Sequence, residues 1–134
     1  MAIVVPDVGE VEFLKAALGV AAMNATTTLK LYTNNITPGE SDTASTYTEA
    51  SGSGYAAKTL TGTSWSVATV TGTTTGTYAQ QTWTFSGALG NVYGYFIIRA
   101  DSGVLLCAER FTDGPYNIAN NGDQILLTPA IQLA

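Results

Sequence analysis

The chain has 134 residues, a formal net charge of −5 and no histidine. That length fits one domain with a sizeable core. The missing histidine excludes serine triads, Cys-His pairs and His-based metal sites. The five basic residues, Lys15, Lys30, Lys58, Arg99 and Arg110, are too scattered to neutralise a run of phosphates, so no nucleic-acid partner is expected.

Charged residues make up 11% of the chain, against about 25% in an ordinary soluble domain. Either much of the surface is covered in the working state, or Thr, Ser and Gly make it polar without charge. Cys107 is the single cysteine, which excludes an intrachain disulfide and a multi-cysteine metal site. It reads as a small buried hydrophobe. No run reaches the roughly 18 apolar residues of a membrane span. Ile3-Val4-Val5 is apolar but stops at Pro6-Asp7 with no basic segment before it, so no secretory signal is expected. The reading is a soluble chain made in the cytoplasm, with no membrane partner.

Residues 1–24 differ from everything after them. Asp7 is placed to cap a helix and Glu10 to complete a capping box. Val8, Val11, Leu14, Ala17 and Leu18 recur at helical spacing, and Gly19 suits a C-terminal cap. The expectation is a helix over residues 8–18 followed by an apolar link, Val20-Ala-Ala-Met-Asn24. It either plugs the domain's own core or docks on a partner.

From Thr26 onward the chain reads as strands and turns. Residues 26–33 alternate, with Leu29 and Leu31 on one face and Lys30 and Tyr32 on the other. A weak strand is expected over 45–50 and short strands over 55–61 and 65–70. The run Thr71-Gly-Thr-Thr-Thr-Gly-Thr77 reads as a low-complexity surface loop. Residues 78–85 form a strong strand with Ala79, Gln81, Trp83 and Phe85 on one face. Asn120-Asn121-Gly122-Asp123 is a turn. A last strand over 124–133 contains Pro129, which puts it at an edge or breaks it in the middle.

The clearest signal is a hairpin from Val92 to Phe111, closed by Asp101-Ser102-Gly103. With Ala100 opposite Val104, one face carries Phe96, Ile98, Ala100, Val104, Leu106 and Ala108 and reads as core. The other carries Tyr93, Tyr95, Ile97, Arg99, Leu105, Cys107, Glu109 and Phe111. That second face is half-apolar and calls for a further covering surface, a loop or another protein. The fold class expected is mainly β: an antiparallel sandwich or barrel, jelly-roll-like, with one short N-terminal helix. The division expected is an N-terminal arm and helix over 1–24 and a β-sandwich domain over 25–134.

Catalytic chemistry has little to work with. No Gly-rich phosphate loop precedes a helix. A carboxylate pair such as Glu109 with Asp113 has the residue types of glycoside hydrolysis, but ten scattered acids read as solvated charges. The spacing around Asn121 and Asp123 matches no calcium loop. No enzyme activity, cofactor or metal is expected. Trp and Tyr also stack on sugars, so a glycan-binding module is a rival reading, although Trp83 and Phe85 follow core alternation.

Several segments resemble small virion proteins of tailed bacteriophages. The start, Val5-Pro-Asp-Val-Gly-Glu10, is similar to theirs. Leu31-Tyr32, Asn34-Asn35, Thr37-Pro38, Tyr47-Thr-Glu49, Gly54-Tyr55 and Thr59-Leu60 look like their front half. Tyr78-Ala-Gln-Gln-Thr-Trp-Thr-Phe85, Val92-Tyr-Gly-Tyr95, Ala108-Glu-Arg-Phe111 and Asn121-Gly-Asp123 resemble their back half. None of these motifs carries a reaction. The resemblance implies a capsid decoration (cement) protein on the virion surface, bound across subunits of the major capsid protein and associated with itself as a homotrimer. The alternative is a glycan- or receptor-binding module of a phage tail or tail fibre. The residues expected to contact partners are Ile3, Val4, Val5, Val11, Leu14, Tyr93, Tyr95 and Glu109. Ile3-Val4-Val5 is expected to add to a neighbour's sheet edge, as an arm whose removal leaves a folded β domain.

Overall fold

The computed structural model describes residues 3–22 and 26–133. The chain is mainly β, with 41% strand against 13% helix, and its sheets are antiparallel. One helix, α1 (Asp7–Ala17), comes first. The strands follow as β1 (Thr26–Tyr32), β2 (Lys58–Thr61), β3 (Ser66–Val70), β4 (Thr73–Thr77), β5 (Gln81–Thr84) and β6 (Gly90–Val92). The remainder are β7 (Gly94–Arg99), β8 (Leu105–Arg110), β9 (Tyr116–Ile118), β10 (Gln124–Leu127) and β11 (Ala130–Leu133). The expected apolar link after α1 ends at Met23 and Asn24, which lie outside the described residues.

The central sheet has the order β2-β1-β7-β8. Alternation along β1 and β7 sends side chains to two cores. On one face Leu29, Leu31, Leu60, Tyr95, Ile97, Leu106 and Cys107 meet Trp83, Phe85, Val92, Ile118 and Ile125. Those partners come from or border the β5–β10 and β6–β9 pairs, which act as the second layer of a β-sandwich. On the other face Phe96, Leu105 and Ala108 pack with Tyr32 and Tyr47. The Tyr47 ring stacks on Phe96 at 5.1 Å between centroids. Both faces of the hairpin are thus covered from within the chain, the one bearing Tyr95, Ile97 and Cys107 by the larger core.

The hairpin register differs from the simple one. Ile97 lies opposite Cys107 but Ile98 lies opposite Leu105, so Leu106 is an extra residue. This bulge turns Leu106 to the face of Ile97 and Leu105 to the face of Phe96. Ala100 does not oppose Val104; it sits exposed in the loop, where the Arg99 N–H donates to the Val104 carbonyl at 2.9 Å. Gly103 takes the positive φ, 74°, that the turn needs.

Two further expectations change. The threonine run forms β4, paired on both sides in a β11-β4-β3 sheet, because threonine is β-branched and suits extended backbone. Thr71 and Gly72 both have positive φ and close a two-residue hairpin between β3 and β4. The weak strand over 45–50 is instead a 3-10 turn, Ala44–Thr46, followed by a single bridge from Glu49 to Tyr32. At Pro129 the last strand is broken as expected: β10 pairs with β5, and β11 pairs with β4.

Helix α1 starts at Asp7, with Pro6 rather than Asp7 in the capping position and no side-chain cap. Its end is a Schellman motif: the Val20 N–H donates to Lys15 and the Gly19 N–H to Ala16.

Candidate interaction surfaces

The expected contact residues fall into separate places. Val4 is paired with Ala108, N–H to carbonyl in both directions at 2.8 and 2.9 Å. Ile3 and Val5 pack against the larger core. The expected addition of Ile3-Val4-Val5 to a neighbour's sheet is therefore filled by the chain's own β8 edge. An unpaired edge recruits other strands, and this one is closed from within.

Tyr93 and Tyr95 do not share an exposed face. The chain passes from β6 to β7 at Tyr93, which breaks the alternation. Tyr93 leans on the smaller core under the Arg110 guanidinium, 5.0 Å from its ring centroid. Tyr95 is buried in the larger core, and its hydroxyl donates to Glu109 Oε2 at 2.9 Å. Burial first, and then the charge of Glu109, raise the Tyr95 phenol well above its ordinary range. It stays a neutral donor.

Ile3, Tyr95, Glu109, Asp113, Thr128 and Gln132 line a cleft of about 390 Å³. The fold does bring Glu109 and Asp113 to one cavity. Each carboxylate, however, already accepts a phenol proton, from Tyr95 and from Tyr116 respectively. Among the described residues no group of three Asp, Glu or Cys side chains is placed to hold a metal ion. Asp123 has one carboxylate oxygen committed to its turn, accepting the N–H groups of Ala119 and Asn120 at 2.9 Å each.

Helix α1 turns Val11 and Leu14 outward, with Leu18 just past its end, while Val8 and Phe13 pack inward. Val11, Leu14 and Leu18 are 48%, 61% and 73% exposed. Gly9 and Glu12 are buried instead, and Phe13 packs on the larger core. The cause is close approach: a Cβ on Gly9 would lie 2.3 Å from the Leu106 carbonyl oxygen. Glu12 pairs with Arg99, which is also held by Asp101 at 2.7 Å. In the sequence Glu12 stands only as an acid near the helix start, with nothing to mark it as buried and paired. The spacing Gly9, Glu12, Phe13 was the available signal for the inward face.

This clamp makes stability depend on pH. Hydrogen bonds from Arg99 and Lys15 lower the Glu12 carboxyl below its ordinary 4.5. A lowered folded-state value adds stability above the unfolded value and loses it as pH falls through the folded value. Thermal melting is expected to drop as pH falls from neutrality through this range. Glu12→Gln should flatten that drop and lower the midpoint at neutral pH.

A second, apolar groove of about 310 Å³ lies between the β11-β4-β3 sheet and the body. Phe13, Leu60, Trp65, Val67, Ile131 and Leu133 line it. The tryptophans do not form an exposed flat platform. Trp83 is buried, its indole N–H donating to the Ala56 carbonyl at 2.8 Å, and Trp65 is half-buried edge-on to Tyr78. No helix among the described residues is long and apolar enough to cross a membrane. The chain matches no family model, no curated protein and no solved structure.

Proposed function

We propose that this chain is a structural virion protein of a tailed bacteriophage, a decoration (cement) protein that lies on the capsid surface and binds across major capsid subunits. Its resemblance to small phage virion proteins motivates the class. The observation that carries the mechanism is the outward stripe of Val11, Leu14 and Leu18 on a helix held rigidly from beneath. Gly9 seats the helix on β8 and the Glu12–Arg99 pair fixes its rotation, so little ordering cost remains on docking.

Fully burying one such aliphatic side chain yields on the order of 1.5–3 kcal/mol before association costs. A single stripe gives a weak contact. Many copies holding neighbouring shell subunits raise the force needed to part them, an effect of avidity rather than of any strong contact. The chain is made in the host cytoplasm and joins the shell there. Imaging intact particles that carry this chain tests the location. Density over the shell, with α1 against the capsid, supports the reading; density confined to the tail would replace it with a tail-borne binding module.

A further inference from the structure

We infer that two copies of this chain pair through the edge of β3, which extends the β11-β4-β3 sheet across a two-fold axis. The inference does not rest on the shell-binding reading, because it concerns the purified chain in solution. Strand β3 ends its sheet, so among the described residues one side of its backbone has no strand partner. All five of its residues are exposed, with Val67 at 69% and Val70 at 71%. Natural edges are blunted by lysine, proline or a bulge, and Ser66-Val-Ala-Thr-Val70 has none of these.

Charge selects the occupant. The chain carries −5, yet no residue from Thr59 to Ile98 is charged, and β11 is uncharged as well. A basic or acidic partner finds no counter-charge on this sheet, whereas a second copy meets a strand as neutral as its own. The charged remainder of each copy stays away from the join, which keeps like-charge repulsion low.

Pairing is antiparallel and isologous, with Ala68 facing Ala68 at the axis. Strand pairing alone covers less than the roughly 1,200–2,000 Å² of a stable interface. Apolar side chains flanking the join add to it. Val67 and Val70 are more than two-thirds exposed on the strand that joins, so each copy adds both to the contact. The product is a dimer, in place of the trimer that the family resemblance implied.

Sedimentation of the purified chain across the micromolar range tests this, with Ala68→Lys as the variant. Ala68 is exposed, so the substitution places two lysines face to face at the join without disturbing a monomer. The expected result is a species of twice 13.9 kDa for the parent chain, and one of 13.9 kDa for Ala68→Lys with unchanged thermal melting. Val70→Lys, which on the same edge sets an unpaired charge against Ser66 of the second copy, should also weaken the pairing and stands in if Ala68→Lys fails to fold. A parent chain that stays monomeric, a trimer, or an assembly indifferent to both lysines overturns the inference.

Discussion

A chain lacking residues 1–19 is expected to lose most of its folding stability. Val4 closes the β8 edge, and its loss exposes the backbone groups of Ala108. Ile3, Val5 and Phe13 cover the larger core and Val8 the smaller one. At about 1.5–3 kcal/mol for each fully buried side chain, and about half that for partly buried ones, the segment contributes several kcal/mol. Ordinary domains hold about 5–15 kcal/mol in total. Arg99 would also be left half-enclosed without Glu12. This expected result is the opposite of a β body that folds without the segment, and the two are separable by experiment. Denaturant unfolding of the truncated chain checks it: a cooperative transition near that of the full chain would show a dispensable arm.

Gly94→Ala is expected to be the most damaging single substitution. The added Cβ would sit 2.1 Å from the Glu109 carbonyl oxygen and 2.6 Å from the Tyr32 ring and hydroxyl. Glu109 is on the paired strand and Tyr32 is fully buried, so neither has room to move. Overpacking a well-filled core costs about 1–3 kcal/mol, and backbone contacts this short belong at or beyond the top of that range. Thermal melting checks it. Gly52→Ala, in the same measurement, should cost much less, because nothing lies within 4 Å of its added Cβ and its φ of 83° is the only source of strain.

The hairpin around Asp101-Ser102-Gly103 was legible because alternating apolar residues and turn chemistry agree there. The bulge at Leu106 was not, because an extra residue leaves no mark on composition and shows only in the pairing of Ile97 with Cys107 and Ile98 with Leu105. Trp83 and Phe85 were legible as core from strand alternation. Strand β4 was hidden because threonine-glycine runs read as loops, although β-branching favours strands. The rotation of α1 was not legible either. Hydrophobic spacing left open whether the helix plugs the core or docks on a partner, and glycine contact and an ion pair decide the inward face. The contact residues Ile3, Val4 and Val5 were legible as strand-formers, but which edge they would join is a long-range matter that pairing with Ala108 settles.

Co-sedimentation of the purified chain with expanded, undecorated phage shells tests the central claim most directly, comparing the parent with Leu14→Glu. Leu14 is 61% exposed, so the substitution should leave folding within about 0.5 kcal/mol of the parent. The parent is predicted to saturate the shells and raise their resistance to heat. Leu14→Glu is predicted to lose at least tenfold in affinity, about 1.4 kcal/mol, with its fold intact. A parent chain that stays in the supernatant while binding isolated tails would contradict the account.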